Sequence, residues 1–182
     1  CLGVGRVRGV YSPVYGRWFG ALEVGVRHII LVMAGWPFPV LGGQRVGIIP
    51  PGTGAAGKAH LRRLYSISCP RDGERPGYLN LSLTVKREPL GICSNYVCNL
   101  VPGDTVQLIG PFGSTFLMPN DPQADLLMIC TGTGAAPFRG FTMRRQRVSP
   151  QNNGQMTLVF GARRPSELPY FGPLQKIPDA FM

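Results

Sequence analysis

The chain has 182 residues, 44% of them apolar, at a mean hydropathy of +0.06, a balance expected of a soluble globular protein of one ordinary domain plus part of a second, and not of disordered or membrane-spanning classes. A formal net charge of +10 raises nucleic acid as a partner, but the cations stand singly or in pairs, MRRQR at 143–147 being the densest patch, without interleaved aromatics; a basic face for phosphorylated cofactors or an acidic protein fits as well. Five cysteines, an odd number in a chain able to bury a core, argue for reduced thiols, and the lack of a signal peptide or a long apolar span makes the cytoplasm the expected compartment.

Residues 1–26 are rich in Gly, Val and Arg, carry no carboxylate before Glu23, and give only weak strand signals, so they are left as an unassigned lead-in. From Arg27 the chain reads as short β-branched runs separated by turn residues: RHIILVM, QRVGII, RLYSIS, LNLSLTVK and TVQLIG. Such spacing predicts an antiparallel β-barrel or sandwich over residues 27–119. PGTGAAGKAH, between two of these runs, reads as a plain connection, because no Gly-Lys-Ser/Thr ending follows and a strand comes next. His28 and His60 are isolated in sequence and read as surface or hydrogen-bonded histidines.

In RLYS, strand alternation sends Arg63 and Tyr65 to one face and Leu64 and Ser66 to the other. A guanidinium can hold a pyrophosphate bidentately, a tyrosine can stack on a planar heterocycle, and a hydroxyl near the strand end can donate to a ring nitrogen. A surface Arg-Tyr pair with a capping serine fits these four residues as well. In GICSNYVCNL, Ser94 is expected to N-cap a helix, leaving the N–H groups of Cys93, Ser94 and Asn95 to face an anion. Cys93 and Cys98 have the C-x4-C spacing of an iron–sulfur ligand set, but Asn99 and Leu100 follow where a third cysteine is needed, so no metal is expected.

MPNDPQAD at 118–125 reads as a domain boundary. After it LLMIC is a continuous apolar run, expected as a parallel strand covered on both faces, and FRGFTMRRQR and MTLVFGA read as a helix and a second buried strand. Residues 124–182 are therefore expected to form an incomplete α/β, Rossmann-like unit. Within it TGTGAAP lies at a strand's carboxyl end and opens the helix, where open α/β sheets bind ligands. Gly132 and Gly134 let backbone approach a pyrophosphate, and Pro137, standing where a third glycine is usual, suits the first helical turn. An ordinary glycine-rich turn explains that stretch equally well. The acid expected about 20 residues on for ribose is missing; Gln151, Asn152 and Asn153 stand there, and Arg163 and Arg164 after the second strand lean toward NADP over NAD.

R-x-Y-S, G-x-C-S and G-T-G-x-x-P occur together in this order, and with SLTVKR and GPFGSTFLMP they make the chain from about Arg27 onward resemble the ferredoxin-NADP+ reductase family. The resemblance implies a flavoprotein oxidoreductase with an FAD-binding barrel followed by an NADP-binding α/β domain. Arg63 would contact the FAD pyrophosphate, Tyr65 stack on the isoalloxazine and Ser66 hydrogen-bond near flavin N5, which makes Tyr65 and Ser66 the candidate catalytic residues. Val85 and Lys86 would lie by the adenosine half, and Gly91, Ile92, Cys93 and Ser94 would wrap the pyrophosphate. Thr131, Gly132, Thr133, Gly134, Ala135 and Pro137 would hold NADPH, with Arg163 beyond them.

Within the family, GPFGSTFLMPNDP and FGARRPSELPYFGPLQKIP are most like the reductase component of benzoyl-CoA oxygenase, which acts in aerobic aromatic degradation. The expected partners are then an iron–sulfur protein or fused ferredoxin domain and an oxygenase component, with no nucleic acid and no membrane. Reductases for another oxygenase, ferredoxin or flavodoxin, and a basic nucleic-acid-binding barrel without flavin, are the alternatives. Two departures stand out. Pro89 and Leu90 precede Gly91 where many relatives carry a base, and the second unit stops after two strands, so a fragment of impaired activity is expected, with LLMIC and TLVF partly uncovered.

Overall fold

The computed structural model describes residues 2–11, 25–33, 38–54, 57–148, 150–151, 154–163 and 168–170. The first strand, β1 (Leu2–Tyr11), lies in the stretch that the sequence reading left unassigned. It pairs antiparallel with β2 (Val26–Met33) on one side and β6 (Thr105–Phe112) on the other. Its inward positions are mostly glycines, which conceal the alternation: a Cβ on Gly5 would stand 3.1 Å from Leu108 Cδ1 and 3.3 Å from Leu31 Cβ, so neighbouring strands occupy the space a side chain would take. The outward positions include Arg6 and Arg8, both exposed.

With β3 (Arg45–Ile48), β4 (Arg63–Ser66) and β5 (Asn80–Lys86), these strands form one six-stranded antiparallel sheet in the order β4-β3-β6-β1-β2-β5. The sheet nearly closes on itself. Just past β4, Ile67 bridges Leu83 of β5, and the Ser68 N–H donates to Ser82 O at 2.8 Å. Inside sit Ile29, Leu31, Ile48, Ile67, Leu83 and Leu108, all fully buried, each contributing roughly 1.5–3 kcal/mol by leaving water. Helix α1 (Ile92–Asn99) lends Cys93, Val97 and Cys98 to the same core. Of the barrel and sandwich that the strand spacing allows, this is the barrel, as the resemblance implies.

The second unit is a parallel pair, β7 (Leu126–Thr131) and β8 (Met156–Gly161), joined through a 3-10 turn at Gly132–Gly134 and helix α2 (Ala135–Val148). One face of the pair packs on α2 through Met128, Phe138, Phe141 and Met156, and the Phe116 ring lies 5.7 and 5.9 Å from those of Phe138 and Phe141. On the other face Leu127 and Ile129 are 68% and 65% exposed and Val159 is 51% exposed, as expected of LLMIC and TLVF in an incomplete unit and not of a doubly covered strand. Among the described residues nothing covers that face, so a run that reads as doubly buried is buried on one side only. The boundary segment is held from within by Arg145, a buried side chain whose Nη2 donates to Ala124 O at 2.7 Å.

Between the units, α2 lies flush on the chain that leaves β4. A Cβ on Gly140 would stand 2.9 Å from Cys69 O, so only glycine admits this approach. Beside it a buried polar cluster joins both units. His28, which the sequence shows as isolated, is fully buried on the outer face of β2, within 3.1 Å of Glu74 Oε1 and 2.6 Å of the Tyr170 hydroxyl. Among the described residues no helix is long and apolar enough to cross a membrane.

Candidate cofactor cleft

A cleft of about 440 Å³ opens between β4 and the start of α1. On its β4 side stand Arg63, Leu64 and Tyr65; on the other, Lys86, Glu88 and the residues Leu90 to Ser94. Across the β3–β4 pair, Arg63 and Tyr65 face Ile48 and Val46, both fully buried, so their side chains start from the inward face. Tyr65 is half-buried and packs on the barrel core, whereas Arg63, at the strand's open end, is exposed. Burial pushes the Tyr65 phenol up, aided by the neighbouring Cys93 thiol, which burial also raises. Both stay neutral at ordinary pH, and the cleft thus has a flat uncharged ring beside an exposed guanidinium.

The helix start differs in detail from the expected cap. Gly91, with extended backbone, is the N-cap and makes no side-chain capping bond. Ser94 lies inside the first turn, its hydroxyl donating to Gly91 O at 3.2 Å and accepting from the Glu88 N–H at 3.1 Å. A Cβ at position 91 would stand 2.4 Å from Ser94 Oγ and 3.1 Å from Glu88 Cβ, so a side chain there would displace the Ser94 hydroxyl from its place in the first turn. The Asn95 N–H is committed to Gly91 O at 3.0 Å, so the amides that precede the helix's own ladder are those of Ile92, Cys93 and Ser94. Asn95 also stitches the approach: its Nδ2 donates to Glu88 O and Gly91 O, both at 2.8 Å, while Arg87 Nη1 donates to its Oδ1 at 2.7 Å.

Of the residues singled out in the sequence, Arg63, Tyr65, Lys86, Gly91, Ile92, Cys93 and Ser94 converge on this cleft. Val85 does not, since its side chain is buried in the barrel core and only its backbone remains for any ligand. Ser66 is half-buried at the end of β4, outside the cleft lining. Thr131, Gly132, Thr133 and Gly134 form the turn at the carboxyl end of β7; Gly132 has φ +51 and open space where a Cβ would be. Ala135 and Pro137 are buried and shape the helix start, and Arg163 is exposed just past β8. Arg164 lies outside the described residues, as does most of the FGARRPSELPYFGPLQKIP segment.

Pro50, His60, Leu61, Leu64, Glu88 and Leu90 line the cleft as well. The signal for two of them was in the loop read as a plain connection: Thr53 bridges Ala59, so the excursion returns on itself and delivers Pro50 and His60 to one place. The aliphatic members have no such signal, because an exposed leucine such as Leu90, 98% exposed, is unremarkable in any surface turn. The donor set suits a phosphorylated ligand with a planar ring, with two cations, first-turn amides and a side-chain-free Gly91 near a neutral phenol.

Comparison with known proteins finds relatives for both units of the fold. The family model for the oxidoreductase NAD-binding domain matches residues 128–178, beginning within β7. The cyanelle ferredoxin–NADP reductase of Cyanophora paradoxa is 43% identical over 166 residues, covering 85% of this chain and 46% of that protein. The ferredoxin–NADP reductase of Spirulina is 38% identical over 169 residues, covering 86% of this chain and 58% of its own. Among solved structures, the ferredoxin-NADP+ reductase of Plasmodium falciparum superposes with TM-score 0.75 at 26% identity, over 96% of this chain and 64% of that one. An Amycolatopsis cytochrome P450 reductase superposes with TM-score 0.74 at 26% identity, over 100% of this chain and 49% of that one.

A nearly closed barrel with a cleft at β4 and α1, followed by a strand–turn–helix unit, is the fold this chain shares with those reductases over the part it spans. Over that part, the chain is similar to ferredoxin–NADP reductases. It spans about half the length of the curated relatives it matches.

Proposed function

We propose that this chain comprises the FAD-binding barrel and the opening of the NADP-binding unit of a reductase that carries electrons from NADPH through FAD to an iron–sulfur acceptor. The observation that carries the reading is the convergence of Arg63, Tyr65, Lys86 and the first turn of α1 on one cleft. Arg63 and Lys86 offset the charge of the FAD pyrophosphate, and the amides of Ile92, Cys93 and Ser94 donate to its oxygens. Tyr65 offers its neutral ring for stacking on the isoalloxazine, and Ser66 holds a hydroxyl near flavin N5. Val85 contributes backbone only, next to Lys86 at the adenosine half. A bound flavin supplies the conversion between two-electron and one-electron chemistry, while the chain orients and shields it. The turn at Thr131–Gly134 receives the phosphates of NADPH at the start of α2, and Arg163 stands ready for a 2'-phosphate.

The relatives are named for ferredoxin, which supports an iron–sulfur protein or fused ferredoxin domain as the acceptor, whereas one structural neighbour is named for cytochrome P450. The narrower proposal is an oxygenase component, that of benzoyl-CoA oxygenase, supported by the likeness of GPFGSTFLMPNDP and FGARRPSELPYFGPLQKIP to its reductase. Stopped-flow reoxidation against different acceptors separates these partners. For the cofactor the test is an absorbance scan of purified protein with and without added FAD; a protein that stays colourless at saturating FAD rejects the reading. Arg63→Ala is expected to weaken FAD retention roughly 10- to 100-fold, the equivalent of a charge-assisted contact of about 1.5–3 kcal/mol. Tyr65→Ser is expected to raise flavin fluorescence without loss of fold, and an unaltered signal rejects stacking.

A further inference from the structure

The carboxylate of Glu74 is the meeting point of three elements. It accepts from His28 Nε2 on β2 at 3.1 Å, from the Ser82 hydroxyl on β5, and from both ends of the Arg139 guanidinium on α2, at 2.5 and 2.9 Å. Because an ionised carboxylate only accepts, the imidazole proton lies on Nε2, and His28 Nδ1 accepts from the Tyr170 hydroxyl at 2.6 Å. Arg139 also lies over the Tyr170 ring, 5.1 Å from its centroid, and donates to Ser68 O at 2.9 Å. Two turns further along α2, Arg147 donates to Gly73 O and Glu74 O, both at 2.7 Å, and pairs with Asp72 at 2.9 Å. Residues 72–74 are thus gripped twice by one helix.

Stability alone is a weak account of this cluster, since well-packed apolar residues usually serve a buried contact as well as an ion pair does. A bidentate guanidinium–carboxylate fork adds something apolar packing lacks: it fixes distance and plane together. The two ends of the fork have particular addresses. Arg139 stands one helical turn beyond Ala135, where α2 leaves the Thr131–Gly134 turn, and its contact at Ser68 lies two residues past Ser66.

We propose that Glu74 and Arg139 are a pair of positioning residues that set where the Thr131–Gly134 turn stands relative to the end of β4, and so align the two cofactor sites. The alignment rests on the functional reading above; the joint itself rests only on the geometry.

The test is amide hydrogen exchange across residues 132–141, read beside FAD retention and the urea midpoint, in the whole chain and its variants. Arg139→Met keeps helix propensity and leaves Glu74 with His28 and Ser82. It is expected to speed exchange in the turn and the first turns of α2 by about tenfold or more, with β1, β2 and β6 unchanged and FAD retention within about twofold. Arg139→Lys restores the charge without the fork, so it is expected to recover the urea midpoint while the turn stays fast.

Unchanged exchange in Arg139→Met overturns the proposal. So does full recovery of turn protection by Arg139→Lys, which reduces the pair to charge compensation. FAD loss in parallel with the exchange overturns it too, because Arg139 then supports the barrel. If Arg139→Met does not fold, Glu74→Gln, which keeps the carboxylate's shape, is judged by the same readouts. A wild-type chain that takes up no FAD rejects the functional reading, and the exchange arm still decides whether the joint exists.

Discussion

Leu31 on β2 and Ile129 on β7 are large aliphatic residues in the middle of β-strands, yet one is fully buried and the other is 65% exposed. The difference lies in closure. Six strands that come round to meet at Ile67 and Leu83 give every inward side chain neighbours on all sides. Among the described residues a parallel pair with one helix has one face covered. The barrel therefore holds its own apolar core, while the second unit has a small core of Met and Phe and is attached to the barrel by charged and polar groups. Where the two meet, Glu74, Arg139, Arg147 and a glycine-tight approach at Gly140 stand beside the apolar contact of Phe116 with Phe138 and Phe141.

This contrast predicts a graded series of effects. Leu31→Ala in the closed core should cost about 2–5 kcal/mol in urea unfolding, as truncations in filled cores do. A loss below about 1 kcal/mol would mean the barrel is not closed around it.

Acid should act next, and on the joint first. Burial lowers His28 below its usual 6.5, only partly offset by Glu74, so it is neutral when folded. The unfolded chain takes that proton more readily, and stability should fall as the pH drops below about 6.5. Burial by itself would raise the Glu74 carboxyl, but hydrogen bonds from His28 and Arg139 and the Arg139 charge outweigh it and hold the group well below its usual 4.5. Its share is present above about pH 4.5 and is lost below. At the alkaline end, burial pushes the Cys69 thiol from 9.0 up to about 11, so its contribution is full below 9.0 and is lost progressively as the pH rises from there through about 11. Urea midpoints across pH check all three limbs, and His28→Asn should remove the one near 6.5.

A smaller effect is expected from Gly140→Ala. Helix propensity favours alanine by about 1 kcal/mol. The new Cβ, however, would stand 2.9 Å from Cys69 O, and overpacking of that kind costs about 1–3 kcal/mol. A net loss confined to α2 in hydrogen exchange supports the flush contact, and a net gain in stability refutes it. The smallest change belongs to the bare face: Ile129→Ser should alter stability by no more than about 0.5 kcal/mol and reduce self-association in sedimentation. A loss comparable to that of Leu31→Ala would show that this face is covered.

Much of the site was legible because its residues are neighbours in sequence. Arg63 and Tyr65 share a four-residue strand, Gly91 to Ser94 open one helix, and Thr131 to Pro137 make one turn, so local spacing was enough to group them. Strands β2 to β6 were legible for the same reason, their β-branched residues repeating between turn signals. Strand β1 was not, because its inward positions are mainly glycine and a periodicity of missing side chains leaves no apolar pattern to read.

Alternation likewise says that Val85 and Lys86 point opposite ways, and only the closed barrel decides that the valine's way is the core. His28, Glu74 and Arg139 are brought together across separations of 46 and 65 residues, and no local rule reaches that far. By itself the sequence determined which stretches become strands or helices and which short motifs present cations, rings and amides, because those depend on backbone sterics and periodicity within a few residues. Tertiary structure alone decided which outward faces are covered, choosing the buried, hydrogen-bonded reading of His28 over the surface one and leaving an apolar strand half-exposed, because burial depends on which distant element arrives to exclude the water.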